Sequence, residues 1–102
     1  MKVVFSRKAE RDLEEIADWI ARDSSERART FVAKLIRAAA SIGRAPRSYP
    51  LVDKDRDPQL RRRIRGNYLI FFDIGPDAVE ILHIVHGARD YVQIVFADEE
   101  PE

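Results

Sequence analysis

Hydrophobic and polar positions along the chain alternate between strand-like and helix-like periods. Lys2 to Phe5 is short and rich in strand formers, and Ser6 then offers an oxygen suited to capping a helix. From Arg7 to about Arg22, apolar residues recur at Ala9, Leu13, Ile16, Ala17 and Ile20, which is one face of a 3.6-residue period. Lys8 with Asp12, Arg11 with Glu15 and Asp18 with Arg22 make i,i+4 pairs assigned to the wet side of that helix. Asp23-Ser24-Ser25-Glu26 interrupts the pattern, with Asp23 and Glu26 spaced as a capping box and either serine an alternative cap. A second helix follows through Ala28, Phe31, Val32, Leu35, Ile36, Ala39 and Ile42, and Gly43 and Pro46 end it. The two helices form a hairpin.

Arg44 to Pro58 holds three prolines and the charge cluster Asp53-Lys54-Asp55-Arg56-Asp57, which predicts a long connecting loop pinned by Tyr49 and Leu51. Strands are predicted over Leu60 to Arg65, Tyr68 to Ile74 and Ala78 to His86, joined at Gly66-Asn67 and Gly75-Pro76-Asp77. The expected fold is therefore α+β in the order β-α-α-β-β-β, with the N-terminal strand and helical hairpin packed on a mainly antiparallel sheet. Residues 1–97 are expected to form one domain, followed by an acidic tail, 98–102, read as frayed and solvated. Two registers are open for the first strand hairpin. A two-residue turn sets Arg61, Arg63 and Arg65 on the face of Tyr68, Ile70 and Phe72, whereas a three-residue loop sets Leu60, Arg62 and Ile64 there. The second is preferred because it groups apolar with apolar. In either register the central strands are apolar on both sides, so the face away from the helices needs cover from the tail or from a partner.

Charge changes the picture more than composition does. The 102 residues carry 18 basic and 18 acidic side chains, yet residues 44–65 hold eight basic against three acidic groups, and Asp98 to Glu102 adds four acids and no base. A balanced total argues against direct specific DNA binding by this chain alone, because phosphate neutralisation calls for a basic surplus. The lack of cysteine excludes disulfides and thiolate zinc sites and fits a reducing, cytoplasmic setting. No stretch approaches the ~20 apolar residues of a membrane span, so no membrane association is expected. His83 and His86 have no acid at ligand spacing, so neither a metal nor any other cofactor is expected.

Several residues are candidates for a working surface. Arg61, Arg62, Arg63 and Arg65 form a cationic run whose plainer reading is an edge strand protected by charge. His86 closes the last strand, and Arg89-Asp90 is either a local ion pair or a contact to a partner. Trp19 lies off the main apolar stripe, at the core edge or as a partner anchor. His83, between Leu82 and Ile84, reads as a structural histidine.

Ser6, Ala9 and Asp12-Leu13-Glu14-Glu15-Ile16 open the first helix, and Ala28, Phe31 and Leu35 mark the second. With Gly43 and Pro46, Arg61-Arg62 before Gly66-Asn67-Tyr68-Leu69-Ile70-Phe71-Phe72, and Ile81 through Asp90, the chain resembles the ParE-type toxins of bacterial toxin-antitoxin modules, within the RelE/ParE superfamily. That resemblance implies a toxin, with a role in plasmid stabilisation, neutralised by a ParD-like antitoxin whose C-terminal segment wraps over it. It also implies inhibition of DNA gyrase rather than catalysis. On that reading the clustering of charge and the off-stripe tryptophan make Arg61, Arg62, Arg63, Arg65, Tyr68, His86, Arg89, Asp90, Tyr91 and Trp19 the expected target or antitoxin surface. The alternative is the RelE-like ribosome-dependent messenger ribonuclease, whose chemistry needs a proton acceptor and cations around the scissile phosphate. Arg89 matches that branch's strand-end arginine. Leu69 and Val95 stand where that branch has an arginine and a tyrosine. A further alternative is a non-toxic protein-binding module of the same fold.

Overall fold

The computed structural model describes residues 1–96, and the acidic tail 98–102 lies outside the described residues. Strand β1, Lys2–Phe5, runs into helix α1, Arg7–Ala21, through Ser6. The Ser6 hydroxyl oxygen accepts the Ala9 N–H at 3.0 Å, capping the helix, and its proton goes to the Leu82 carbonyl at 3.0 Å. One side chain thus starts the helix and ties it to a strand 76 residues away. Helix α2, Ser25–Ser41, begins at Ser24, whose side chain accepts the Arg27 N–H at 3.2 Å. The serine cap, not the Asp23–Glu26 box, starts this helix. Two 3-10 turns follow, Ile42–Arg44 and Pro46–Ser48. Gly43 is needed because a Cβ there would come within 2.1 Å of the Met1 carbonyl oxygen.

Strands β2, Leu51–Asp53, β3, Asp57–Arg65, β4, Tyr68–Ile74, and β5, Ala78–His86, complete a sheet of order β1-β5-β4-β3-β2. Only the β1–β5 pairing is parallel. The α+β class is as expected, but the predicted loop from Arg44 to Pro58 holds an additional strand, and β3 begins three residues before Leu60. Acids of the charge cluster build its turn. Asp53 Oδ1 accepts the N–H groups of Asp55 and Arg56, and Asp57 Oδ1 accepts those of Gln59 and Leu60. Pro58 is tolerated because it sits in an irregular stretch, before β3 pairs with β4 at Arg61.

The preferred register of the β3–β4 hairpin is corrected by the structure. Arg65 pairs with Tyr68, Arg63 with Ile70 and Arg61 with Phe72, across a two-residue Gly66-Asn67 turn in which Gly66 takes φ +59°. The arginines therefore share the helical face with Tyr68, Ile70 and Phe72. They do so at little cost, because long aliphatic stems can cover apolar surface while the guanidinium reaches out. Arg63 lies against the Tyr49 ring and donates to the Ala38 carbonyl at 2.7 Å and to the Ser41 hydroxyl, closing the C-terminal end of α2. Arg61 donates to the Tyr49 carbonyl at 2.6 Å. Ile64 is left 62% exposed on the other face.

Two apolar clusters result. The larger lies between the helical hairpin and the sheet, around Leu35, Ile42, Ile70, Phe72, Val79 and Ile81. The smaller lies on the far face, around Leu60, Phe71, Val85 and Phe96. Its cover is helix α3, Tyr91–Val95, started by Asp90, whose carboxylate accepts the Gln93 N–H at 3.4 Å. Tyr91 stacks on Phe71 with ring centroids 5.5 Å apart. The far face is thus partly closed by the chain itself. No described helix is long and apolar enough to cross a membrane.

Candidate functional site

At the end of the sheet beside the β3–β4 turn, the pairings Arg65–Tyr68 and Tyr68–His86 set three predicted residues in one row across β3, β4 and β5. The row lies on the helical face. Tyr68 meets the His86 ring edge to face at 5.1 Å and the Phe31 ring of α2 at 5.4 Å. Burial among these rings pushes the Tyr68 hydroxyl above its ordinary pKa, since the phenolate would lose solvation there. Behind the row, the Gly87 N–H donates to the Asn67 carbonyl at 2.7 Å, fastening the end of β5 to the hairpin tip. His86 Nδ1 accepts the Ala88 N–H at 3.1 Å, so a neutral ring carries its hydrogen on Nε2.

Helix α1 supplies the opposite wall. Trp19 is 65% exposed, with the Arg22 guanidinium 4.9 Å above its ring, and Glu15 lies one turn earlier. Between them and the sheet is a cleft of about 430 Å³ whose lining includes Glu15, Trp19, Tyr68, His86 and Arg89. Aromatic walls with an imidazole, a guanidinium and a carboxylate at the rim suit the binding of a side chain or a segment of a partner. Among the described residues no group of His, Asp and Glu is arranged to hold a metal ion.

The remaining predicted residues are dispersed. Arg61 and Arg63 brace the fold through the carbonyl oxygens they hold. Arg62 lies opposite Phe71 on the far face, where its buried Nε has no hydrogen-bond partner among the described residues. Asp90 caps α3 and makes no ion pair with Arg89, and Tyr91 faces the far cluster. Of the cationic run, only Arg65 stands exposed near the cleft.

Asp12 is the residue that sequence reasoning misplaced. Assigned to the wet side, it is only 6% exposed, and its Oδ2 accepts the Ile84 N–H at 2.9 Å while Oδ1 holds Lys8. β1 has ended by that height of β5, so the carboxylate takes the place of the missing strand neighbour. The signal was present in the spacing. Ala9, Asp12, Leu13 and Ile16 follow offsets of 3, 4 and 7, which puts Asp12 within the apolar stripe.

Comparison with known proteins adds three findings. The family model described as the ParE toxin of type II toxin-antitoxin systems, parDE, matches residues 3–91. The chromosomal ParDE system of P. aeruginosa contains a chain of similar structure, with TM-score 0.70 and 20% identity, covering 84% of this chain and 95% of that one. The toxin-antitoxin complex RelBE2 from Mycobacterium tuberculosis contains another, with TM-score 0.61 and 22% identity, covering 83% of this chain and 95% of that one. At such identities the structural likeness speaks for the fold. Comparison with curated proteins gave no match.

Proposed function

Since this chain belongs to the ParE toxin family of type II toxin-antitoxin systems, we propose that it inhibits DNA gyrase and is held inactive by a ParD-like antitoxin. The observation that carries this reading against messenger cleavage is the placement of Leu69 and Val95. Both pack in the far-face cluster, on the opposite side of the sheet from the cleft. At the positions where the ribonuclease branch has an arginine and a tyrosine, this chain has apolar side chains turned into a core. His86 and Arg89 remain at the cleft as binding groups, and no residue is assigned a catalytic role.

The antitoxin part of the reading draws on exposed apolar surface. Trp19 stands out from α1, and a shallow groove of about 440 Å³ between α1 and α2 is lined by Ala17, Ala21, Val32, Ala33 and Ile36. An amphipathic helix seats its apolar face in a groove of this kind. Both similar structures come from toxin-antitoxin systems, which supports a partner of that class here.

Purified toxin in stoichiometric excess over gyrase is expected to abolish supercoiling of relaxed plasmid, and prior addition of the antitoxin encoded beside it is expected to restore it. Unchanged supercoiling together with site-specific messenger cleavage on primer extension would replace this reading with the ribonuclease one. Normal growth at confirmed expression without antitoxin would instead favour a non-toxic binding module.

A further inference from the structure

We propose that helix α2 and strand β3 together grip the phosphate backbone of duplex DNA, without reading its sequence, through Arg27, Lys34, Arg37 and Arg65. Arg27, Thr30, Lys34, Arg37 and Ser41 follow offsets of 3, 7, 10 and 14, which places them along one stripe of α2. The stripe faces β3, because the Arg63 guanidinium reaches the Ser41 hydroxyl at its end. Arg65 joins it from the sheet. Its cross-strand pair Tyr68 meets Phe31, which lies between Arg27 and Lys34 on α2. All four cations are exposed, and none of them makes an ion pair among the described residues.

The balanced total charge hides this concentration. Residues 27–52 carry six basic side chains and no acid, whereas residues 7–26 carry seven acids against four bases. The molecule thus has a cationic side and an anionic side, and a polyanion is steered to the first. The chemistry of the stripe selects among polyanions. An acidic protein segment would need apolar anchors, but Ile36, the exposed large apolar residue of α2, lies in the groove toward α1, away from the stripe. A single strand would need aromatic platforms for its bases, and the nearest ring, Phe31, is half-buried against Tyr68. The stripe offers charge alone, which suits phosphates. From Arg27 to Arg37 it is about 15 Å long, enough to face about four phosphates of one strand. On the gyrase reading, this grip holds the toxin against the DNA that its target carries, but contact with a duplex does not require that reading.

The test uses the purified full chain without antitoxin and a fluorescent duplex of about 20 base pairs and arbitrary sequence, read by anisotropy across a salt series. No gyrase is present, so the outcome is separate from that of the supercoiling assay. Binding is expected at low salt, with log K falling against log salt at a slope of about −3 to −4. Lys34→Gln and Arg37→Gln should each weaken it about three- to tenfold and reduce the slope by about one, on duplexes of any sequence. Arg11→Gln removes the same charge from the exposed side of α1 and should change binding by less than about twofold. Glu26→Gln, which removes the single acid of α2, should tighten it. Equal weakening by the α1 and α2 variants, or no duplex binding at about 50 mM salt, would overturn the proposal. So would tighter binding of a single strand that is lost in Trp19→Ala, because the occupant would then sit in the cleft. Variants of α2 that keep the duplex and lose only the antitoxin would overturn it in favour of a protein partner.

Discussion

The two faces of one sheet are closed by unequal means. The helical face is covered by α1 and α2, 15 and 17 residues long, whose apolar stripes meet Phe72, Ile70 and Ile81. The far face is covered by α3, five residues long, and by Phe96. Phe71 and Phe72 are adjacent and equally inaccessible, yet one faces a two-helix layer and the other a single turn. A buried side chain is only as secure as the element above it. The far face should be the first to open, and the helical face should set the global stability.

Truncating each face in turn gives the largest contrast. Phe72→Ala is expected to cost about 3–5 kcal/mol, as deletion of a fully buried aromatic does, whereas Tyr91→Ala on the far side should cost about 1–2 kcal/mol and raise dye binding at Phe71. Urea unfolding measures both, and equal losses would erase the distinction between the faces.

Asp12→Ala tests the seam where α1 meets β5, with an expected cost of about 1.5–3 kcal/mol from a charge-assisted bond to the Ile84 N–H. Faster amide exchange at Ile84 than at Val79, where β1 still pairs, is the accompanying sign. A loss below about 0.5 kcal/mol, the usual range for a surface change, would mean that water replaces the carboxylate freely.

Much of this was legible in the sequence, because both helices and the three long strands have clear periods. The β3–β4 register was not, since grouping apolar with apolar gave no weight to arginine stems such as that of Arg63 against Tyr49. β2 was missed because Leu51 and Val52 are its only apolar residues and it runs at Asp53 into a charge cluster that resembles a loop. In α3, Val92, Ile94 and Phe96 alternate as they would in a strand, so period alone leaves the stretch open, while Tyr91, Ile94 and Val95 are the residues that pack at helical spacing. Of the candidate surface, Trp19, Arg65, Tyr68, His86 and Arg89 converge at one end of the fold. Which arginines would be spent on bracing depended on the register.

The smallest effect sharpens the far face electrostatically. Burial, then the carboxylates of Glu80 and Asp57, pushes Asp73 above its ordinary pKa. A carboxyl raised in the folded state contributes stability that is fully present below its unfolded pKa and is lost as pH rises through the folded value. Asp73→Asn should therefore stabilise the protein modestly at neutral pH, by about 1–3 °C in Tm after allowance for solvent screening. The gain should vanish below the pKa of an unfolded aspartate. A thermal melt series from acid to neutral pH checks the sign, and a variant less stable at neutral pH would remove the repulsion argument.

The parallel pairing of β1 with β5 bears on when the molecule can come into being during synthesis. Lys2 to Phe5 lie beside Ala78 to Ile81, and Ser6 and Asp12 find their carbonyl and N–H partners at Leu82 and Ile84. A nascent chain can form the helical hairpin early from local contacts, but the first strand has no neighbour until the last has emerged. Until residues 78–84 have left the ribosome, the cleft lacks its floor. Whatever this protein does to its target begins only after translation has passed that point.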